Sequence, residues 1–161
     1  MPNPANRFHS WLYRARPDLN CIVHSHAPHA SALAMLEVPL TISHMDTCVL
    51  YDQTAFLEKW PGIPVGNEEG EIISTALGDK KAILLSHHGL LVAGSSVEEA
   101  CVLGVMFERA ARLQLLAMAA AKSNRFRRNW AAKLSVGLAH RNASKRRSPT
   151  IPVARRELPT V

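Results

Sequence analysis

Two short apolar runs in this chain lead straight into histidines. Cys21-Ile22-Val23 ends in His24-Ser25-His26, and the segment from Lys80 to Ser86 ends in the His87-His88-Gly89 corner. Runs this short, bounded by turn residues, read as buried strands. Alternate residues of a strand share a face, so the His24 and His26 imidazoles can project to one side and reach one metal ion. Three neutral imidazoles from two strand ends make a three-ligand site with an open position, the arrangement a catalytic zinc needs. Histidines satisfied within the core account for the same pattern, and the residues alone leave both readings open.

The rest of the chain alternates helices with strands. Phe8, Trp11, Leu12 and Ala15 recur at helical spacing, which predicts a helix over Asn6 to Arg16 that Arg16-Pro17-Asp18 closes. Ala27-Pro28 opens a second helix that runs to about Leu36 and is stopped before Pro39, since proline suits a first turn. Leu40 to Leu50 is rich in Thr, Ile and Val and is expected to be β-like. Residues 60–66 are dense in Pro and Gly and read as a loop. Asn67 can cap a helix to about Leu77, with Gly78 as its C-terminal signal. Leu90 to Ala93 is the expected antiparallel partner of the Lys80–Ser86 strand. Ser96-Val97-Glu98-Glu99 forms a capping box. The long helix that follows places Val97, Cys101, Gly104, Phe107, Ala111, Leu115 and Met118 on one stripe, with Glu108 and Arg112 pairing opposite.

Charge divides the chain in two. The net charge of +6 suggests a partner such as nucleic acid or an anionic membrane. From Lys122 to Val161, however, eleven Lys/Arg face one acid, while residues 1–121 hold eight bases and twelve acids, a net of −4. The basicity belongs to a tail at 122–161 that is expected to be poorly ordered, and the mildly acidic body at 1–121 is the domain. Nucleic-acid or membrane-surface binding by the tail ranks last. Phe126 and Trp130 are its only aromatics, no recognised reading fold accompanies them, and a solvated tail explains the charge. The three cysteines, Cys21, Cys48 and Cys101, are odd in number and lack CxxC spacing. They indicate neither a disulfide framework nor a thiolate zinc site, and are expected to pack as small apolar residues. With no signal-peptide pattern and no run near the ~20 apolar residues of a membrane span, a cytoplasmic location is expected.

Taken in order, Arg16-Pro17-Asp18, an apolar strand, His24-x-His26-x-x-His29, a second strand into His87-His88-Gly89-Leu90, then Gly94, Glu98-Glu99-Ala100 and Glu108 in a long helix resemble the class II aldolase/adducin head family. The resemblance covers about residues 7–121. It implies an α/β fold, a three-layer α/β/α sandwich with a mostly antiparallel central sheet, incomplete here at its N-terminus. It further implies a homotetramer with active sites between subunits. The implied ligands of Zn2+, or of another divalent metal, are His24, His26 and His88. The implied activity is that of an aldolase-type lyase on a small hydroxy-carbonyl, sugar-phosphate-like substrate through a metal-stabilised enediolate. An epimerase of the same family and a non-catalytic subunit like the adducin head are the alternatives.

His44-Met45-Asp46 is similar to the H-A-D segment of the family's pentulose-phosphate epimerases, which makes Asp46 the candidate acid/base, with an ordinary turn carboxylate as the plain alternative. Tyr51 could face substrate or pack in the core. His87 is expected to point away from the ligand set, His29 to lie on the second helix, His9 to pack or support the site, and His140 to be solvated. Two departures stand out. The family's phosphate-binding N-terminal portion has no counterpart here, and Ala5 occupies the position of its catalytic carboxylate. Alanine can neither accept nor donate a proton.

Overall fold

The structure, a computed structural model, describes residues 6–59 and 68–120. The expected 60–66 loop, the Asn67 cap, Ala5, and the 122–161 tail with His140, Phe126 and Trp130 lie outside the described residues.

Between them lie α1 (Asn6–Ala15), β1 (Cys21–Ser25), α2 (Pro28–Met35), a 3-10 helix (Met45–Leu50), β2 (Thr54–Leu57), α3 (Glu68–Leu77), β3 (Ala82–Leu85), β4 (Gly89–Gly94) and α4 (Val97–Ala120). The four strands form one mixed sheet in the order β1-β4-β3-β2. β4 runs antiparallel to both its neighbours, with Ser25 opposite Leu90 and Leu85 opposite Gly89, while β2 lies parallel to β3.

The two central strands are buried along their whole length, as expected of uninterrupted apolar runs covered on both faces. Alternation sorts their side chains between two cores. Ala82, Leu84, Leu90 and Val92 pack against Leu33 of α2 and Leu103 and Phe107 of α4. Ile83, Leu85, Leu91 and Ala93 face Phe8 and Leu12 of α1 and Ile73 and Leu77 of α3. Helices therefore cover both faces of the sheet, giving the three-layer α/β/α arrangement. Each fully buried Leu or Ile contributes ~1.5–3 kcal/mol.

Local signals place the helix ends well. Arg16, just past α1, closes a bidentate pair on Asp18, with Nε and Nη2 each 2.7 Å from a carboxylate oxygen. Its Nη1 donates to the Gly78 carbonyl at 2.6 Å, which ties α1 to the end of α3. Gly78 itself stands at φ 57, the left-handed position that ends a helix.

Several expectations fail. No strand occupies Leu40 to Leu50; its second half is the 3-10 helix, which His44 caps by accepting the Asp46 amide on Nδ1 at 3.2 Å. The Thr41 amide donates at 2.7 Å to Gln114 of α4 rather than to a ladder. Local capping and a side-chain acceptor outweigh the β propensity of the segment. The strand in this region is instead Thr54–Leu57, held by parallel pairing to β3.

The buried stripe of α4 also differs from expectation. It consists of Ala100, Leu103, Phe107, Ala110, Ala111 and Gln114, whereas Val97 and Met118 are exposed. Small alanines let the helix lie close on the sheet. Gln114 is tolerated there because it accepts from Thr41 and donates to the Pro39 carbonyl at 3.0 Å. Cys101 is exposed on the same helix and packs in no core, while Cys48 is buried.

Finally, the capping box is only half formed. Ser96 Oγ accepts from the Glu99 amide at 3.2 Å, but the Glu99 carboxylate turns to the Ser95 amide and hydroxyl and to Lys81. Among the described residues no helix is long and apolar enough to cross a membrane.

Candidate metal centre

β1, its two-residue exit, and the β3–β4 turn bring His24, His26 and His88 together. One ring nitrogen from each lies within 4.8 Å of the others. The ring centroids form a near-equilateral triangle, 5.0 Å from His24 to His26, 4.7 Å from His24 to His88 and 5.1 Å from His26 to His88.

Each ring has a distinct support. His24 Nδ1 lies 3.0 Å from the Leu90 carbonyl on the neighbouring strand. A carbonyl only accepts, so Nδ1 carries the proton and Nε2 presents its lone pair to the cluster. His26 Nε2 is 3.2 Å from that atom. The His26 ring lies over Gly89, where a Cβ would sit 2.7 Å from His26 Cδ2 and 2.7 Å from the Ser25 carbonyl. Glycine is needed here for space, since the approach leaves no room for a side chain. His88 sits in a tight turn in which its amide donates to the Leu85 carbonyl at 3.1 Å. Phe8 closes the floor, edge-on to His24 at 5.3 Å.

The electrostatics suit cation binding. Burial, followed by the neighbouring His88 and His26, pushes the His24 pKa down to about 4. Burial and then His26 also lower the His88 pKa. Protonation would place like charges side by side, so at neutral pH His24 and His88 keep lone pairs available for a metal. A borderline-soft divalent ion such as Zn2+ accepts three imidazoles and leaves a fourth position open. The donor set therefore fits the group.

The fold does not bring Asp46 or the other candidates into this ligand set. His87 does point away from it, but as part of the turn at φ 55 rather than as a strand residue, and its Nε2 is 2.8 Å from Glu37. His9 on α1 is half-buried with Nε2 unpartnered, its ring against Phe8 at 4.8 Å, and burial lowers its pKa. Asp46 stands at the start of the 3-10 helix, where Oδ2 accepts from Arg109 of α4 at 2.7 Å and lies 4.0 Å from His44 Nδ1. Tyr51 closes that 3-10 helix and is partly buried.

Local reading missed the partner of Glu108. Its carboxylate does not pair with Arg112 along α4. It reaches across to α2, with Oε1 2.6 Å from His29 Nδ1. The spacing of 79 residues between the two leaves no local signal for the pair.

The chain matches the Class II Aldolase and Adducin N-terminal domain family over residues 1–115. It is 32% identical over 114 residues to the meiotically up-regulated gene 14 protein of Schizosaccharomyces pombe, covering 71% of this chain and 44% of that protein. To an L-fuculose phosphate aldolase of Escherichia coli it is 33% identical over 120 residues, covering 74% of this chain and 55% of the relative. The solved L-fuculose 1-phosphate aldolase from Glaciozyma antarctica PI12 superposes with a TM-score of 0.77 at 33% identity, covering 86% of this chain and 52% of that one. The chain spans about half the length of the curated relatives it matches.

Proposed function

The chain belongs to the Class II Aldolase and Adducin N-terminal domain family, and from that premise we propose that it is a metal-dependent aldolase-type lyase. Its substrate in this reading is a small hydroxy-carbonyl compound of the sugar-phosphate kind. The observation that carries the reading is the triangle of His24, His26 and His88, with His24 kept neutral and its tautomer set by Leu90.

In this reading the three imidazoles hold Zn2+ or another divalent cation. When bound, that ion supplies Lewis-acid polarisation of the substrate's hydroxyl and carbonyl oxygens. The chain's own part is to place and protect the reaction. Phe8 and the His24 ring wall one side of the cluster, and the exposed His26 leaves the other side open for entry. Asp46 is the proposed acid/base. Arg109 engages its Oδ2, which fixes the carboxylate's orientation and leaves Oδ1 as the atom to take the proton. The protein acts in this reading as a cytoplasmic homo-oligomer, a homotetramer with sites between subunits.

A second reading is favoured by one observation. Ala5 stands where the family resemblance puts a catalytic carboxylate, as a non-catalytic, adducin-head-like subunit would allow. Asp46 after His44 points within the first reading toward the family's epimerases.

Assay of the zinc-loaded chain with hydroxy-ketose phosphates, L-fuculose 1-phosphate first, tests the choice. Retro-aldol cleavage or epimerisation that disappears on His24→Ala supports the enzyme. Metal retained with no turnover of any such substrate supports the non-catalytic reading.

A further inference from the structure

Helix α2 starts without a cap of its own. Its N-cap residue is Ala27, at φ −60 and ψ 137, with no side-chain cap. The first free amides would remain unsatisfied without an acceptor from elsewhere. Glu108 of α4 supplies one. Oε1 accepts the His29 amide at 2.9 Å, and Oε2 accepts the Ala30 amide at 2.9 Å. His29 Nδ1 adds a third contact, 2.6 Å from Oε1. A carboxylate at this end of a helix also meets the positive pole of the helix dipole.

This cap lies next to the metal centre. β1 ends at Ser25, held in register by Leu90, and α2 begins at Pro28. His26 therefore stands on a two-residue link, with Ala27, between a strand fixed by its ladder and a helix fixed by Glu108. Its own ring is exposed, and its hydrogen bond among the described residues is the one to His24. The packing of its ring over Gly89 and the two ends of the link together determine where it stands.

We infer that Glu108 is a positioning residue for the metal centre: by capping α2 from α4 it sets where His26 stands relative to His24 and His88. The inference rests on reading the three histidines as cation ligands. Glu108 acts through the backbone, and its effect on the centre is carried by the start of α2. An ordinary cap would add stability and leave the centre unchanged, which makes the two roles separable.

The test is Co2+ titration of the full chain, stripped of metal by chelator, well below its melting temperature. Visible absorption bands report affinity and coordination geometry together. Glu108→Ala is expected to weaken Co2+ binding about tenfold or more, the usual scale for residues that orient ligands from outside the ligand set, and to change the band shape. Glu108→Gln keeps one carbonyl acceptor and should fall between Ala and wild type. His29→Ala leaves both backbone amides capped and should bind like wild type.

A folded Glu108→Ala protein with wild-type affinity and bands overturns the inference, even if its melting temperature has dropped. If that variant fails to fold, Glu108→Gln decides by the same readout. A loss in His29→Ala equal to that in Glu108→Ala assigns the effect to the imidazole and also overturns it. No Co2+ binding by the wild type overturns the metal-centre reading itself, a result distinct from the others.

Discussion

The Nδ1 atom of His24 lies 3.0 Å from the carbonyl oxygen of Leu90 and donates to it. One strand thereby fixes the tautomer of a ring carried by its neighbour, and Nε2 is left facing His26 and His88. The sheet register that pairs Ser25 with Leu90 thus sets the tautomer of His24 as well as the fold.

Gly89→Ala tests that packing. The added Cβ would sit 2.7 Å from the His26 ring and 2.7 Å from the Ser25 carbonyl, and the backbone atom cannot swing aside. The expected cost is about 1–3 kcal/mol of stability with displacement of His26. A thermal melt and a metal-retention assay check both effects. Unchanged melting and retention would show that the strands separate without penalty.

Glu99 and Glu69 should give pH effects of opposite sign. Burial works against the Glu99 charge, but the Lys81 and Ser95 hydrogen bonds and the Lys81 charge outweigh it and hold the pKa at about 2. Its contribution is therefore complete above the ordinary carboxylate value of about 4.5 and fades as pH falls toward 2. Glu99→Gln should lower stability at pH 7 by about 1 kcal/mol, and the gap should close in acid.

Glu69 is 4% exposed, and neither carboxylate oxygen has a hydrogen-bond partner. Burial raises its pKa. For a raised carboxylate, stability is complete below the unfolded pKa and is lost as pH rises through the folded one. Glu69→Gln should raise the melting temperature at pH 7, with the gain vanishing below about pH 4.5. Melts of the two variants across pH 3–7 read both trends, and parallel curves would contradict them.

Gln114→Leu should destabilise despite the apolar replacement. It leaves the part-buried Thr41 amide without its 2.7 Å acceptor and the Pro39 carbonyl without its 3.0 Å donor. The expected cost is about 1–3 kcal/mol, measured by urea denaturation. A stabilised variant would mean that water reaches both groups.

Much of this was legible in the sequence, for physical reasons that also mark where legibility stops. Pro28, Gly78 and Ser96 announce helix ends because capping is local chemistry, and the observed helices begin or end beside them. The histidine clusters were visible because each follows a strand in the chain. Thr54–Leu57 was missed because its order comes from pairing with Ala82–Leu85, not from its own four residues. The stripe of α4 was misplaced because Ala100 and Ala110 carry little hydrophobic signal yet are buried. Glu108 looked like a surface partner for Arg112 because its actual partner lies on a different helix.

In the proposed reading His24, His26 and His88 bind one divalent ion. Metal analysis of the purified chain by mass spectrometry, beside a His24→Ala/His88→Ala variant with an unchanged circular dichroism spectrum, tests it directly. About one zinc per wild-type chain and none in the variant is the expected result, as a three-histidine site requires. A wild type without stoichiometric metal after zinc reconstitution, or a variant that retains it, would rule out a three-histidine metal site.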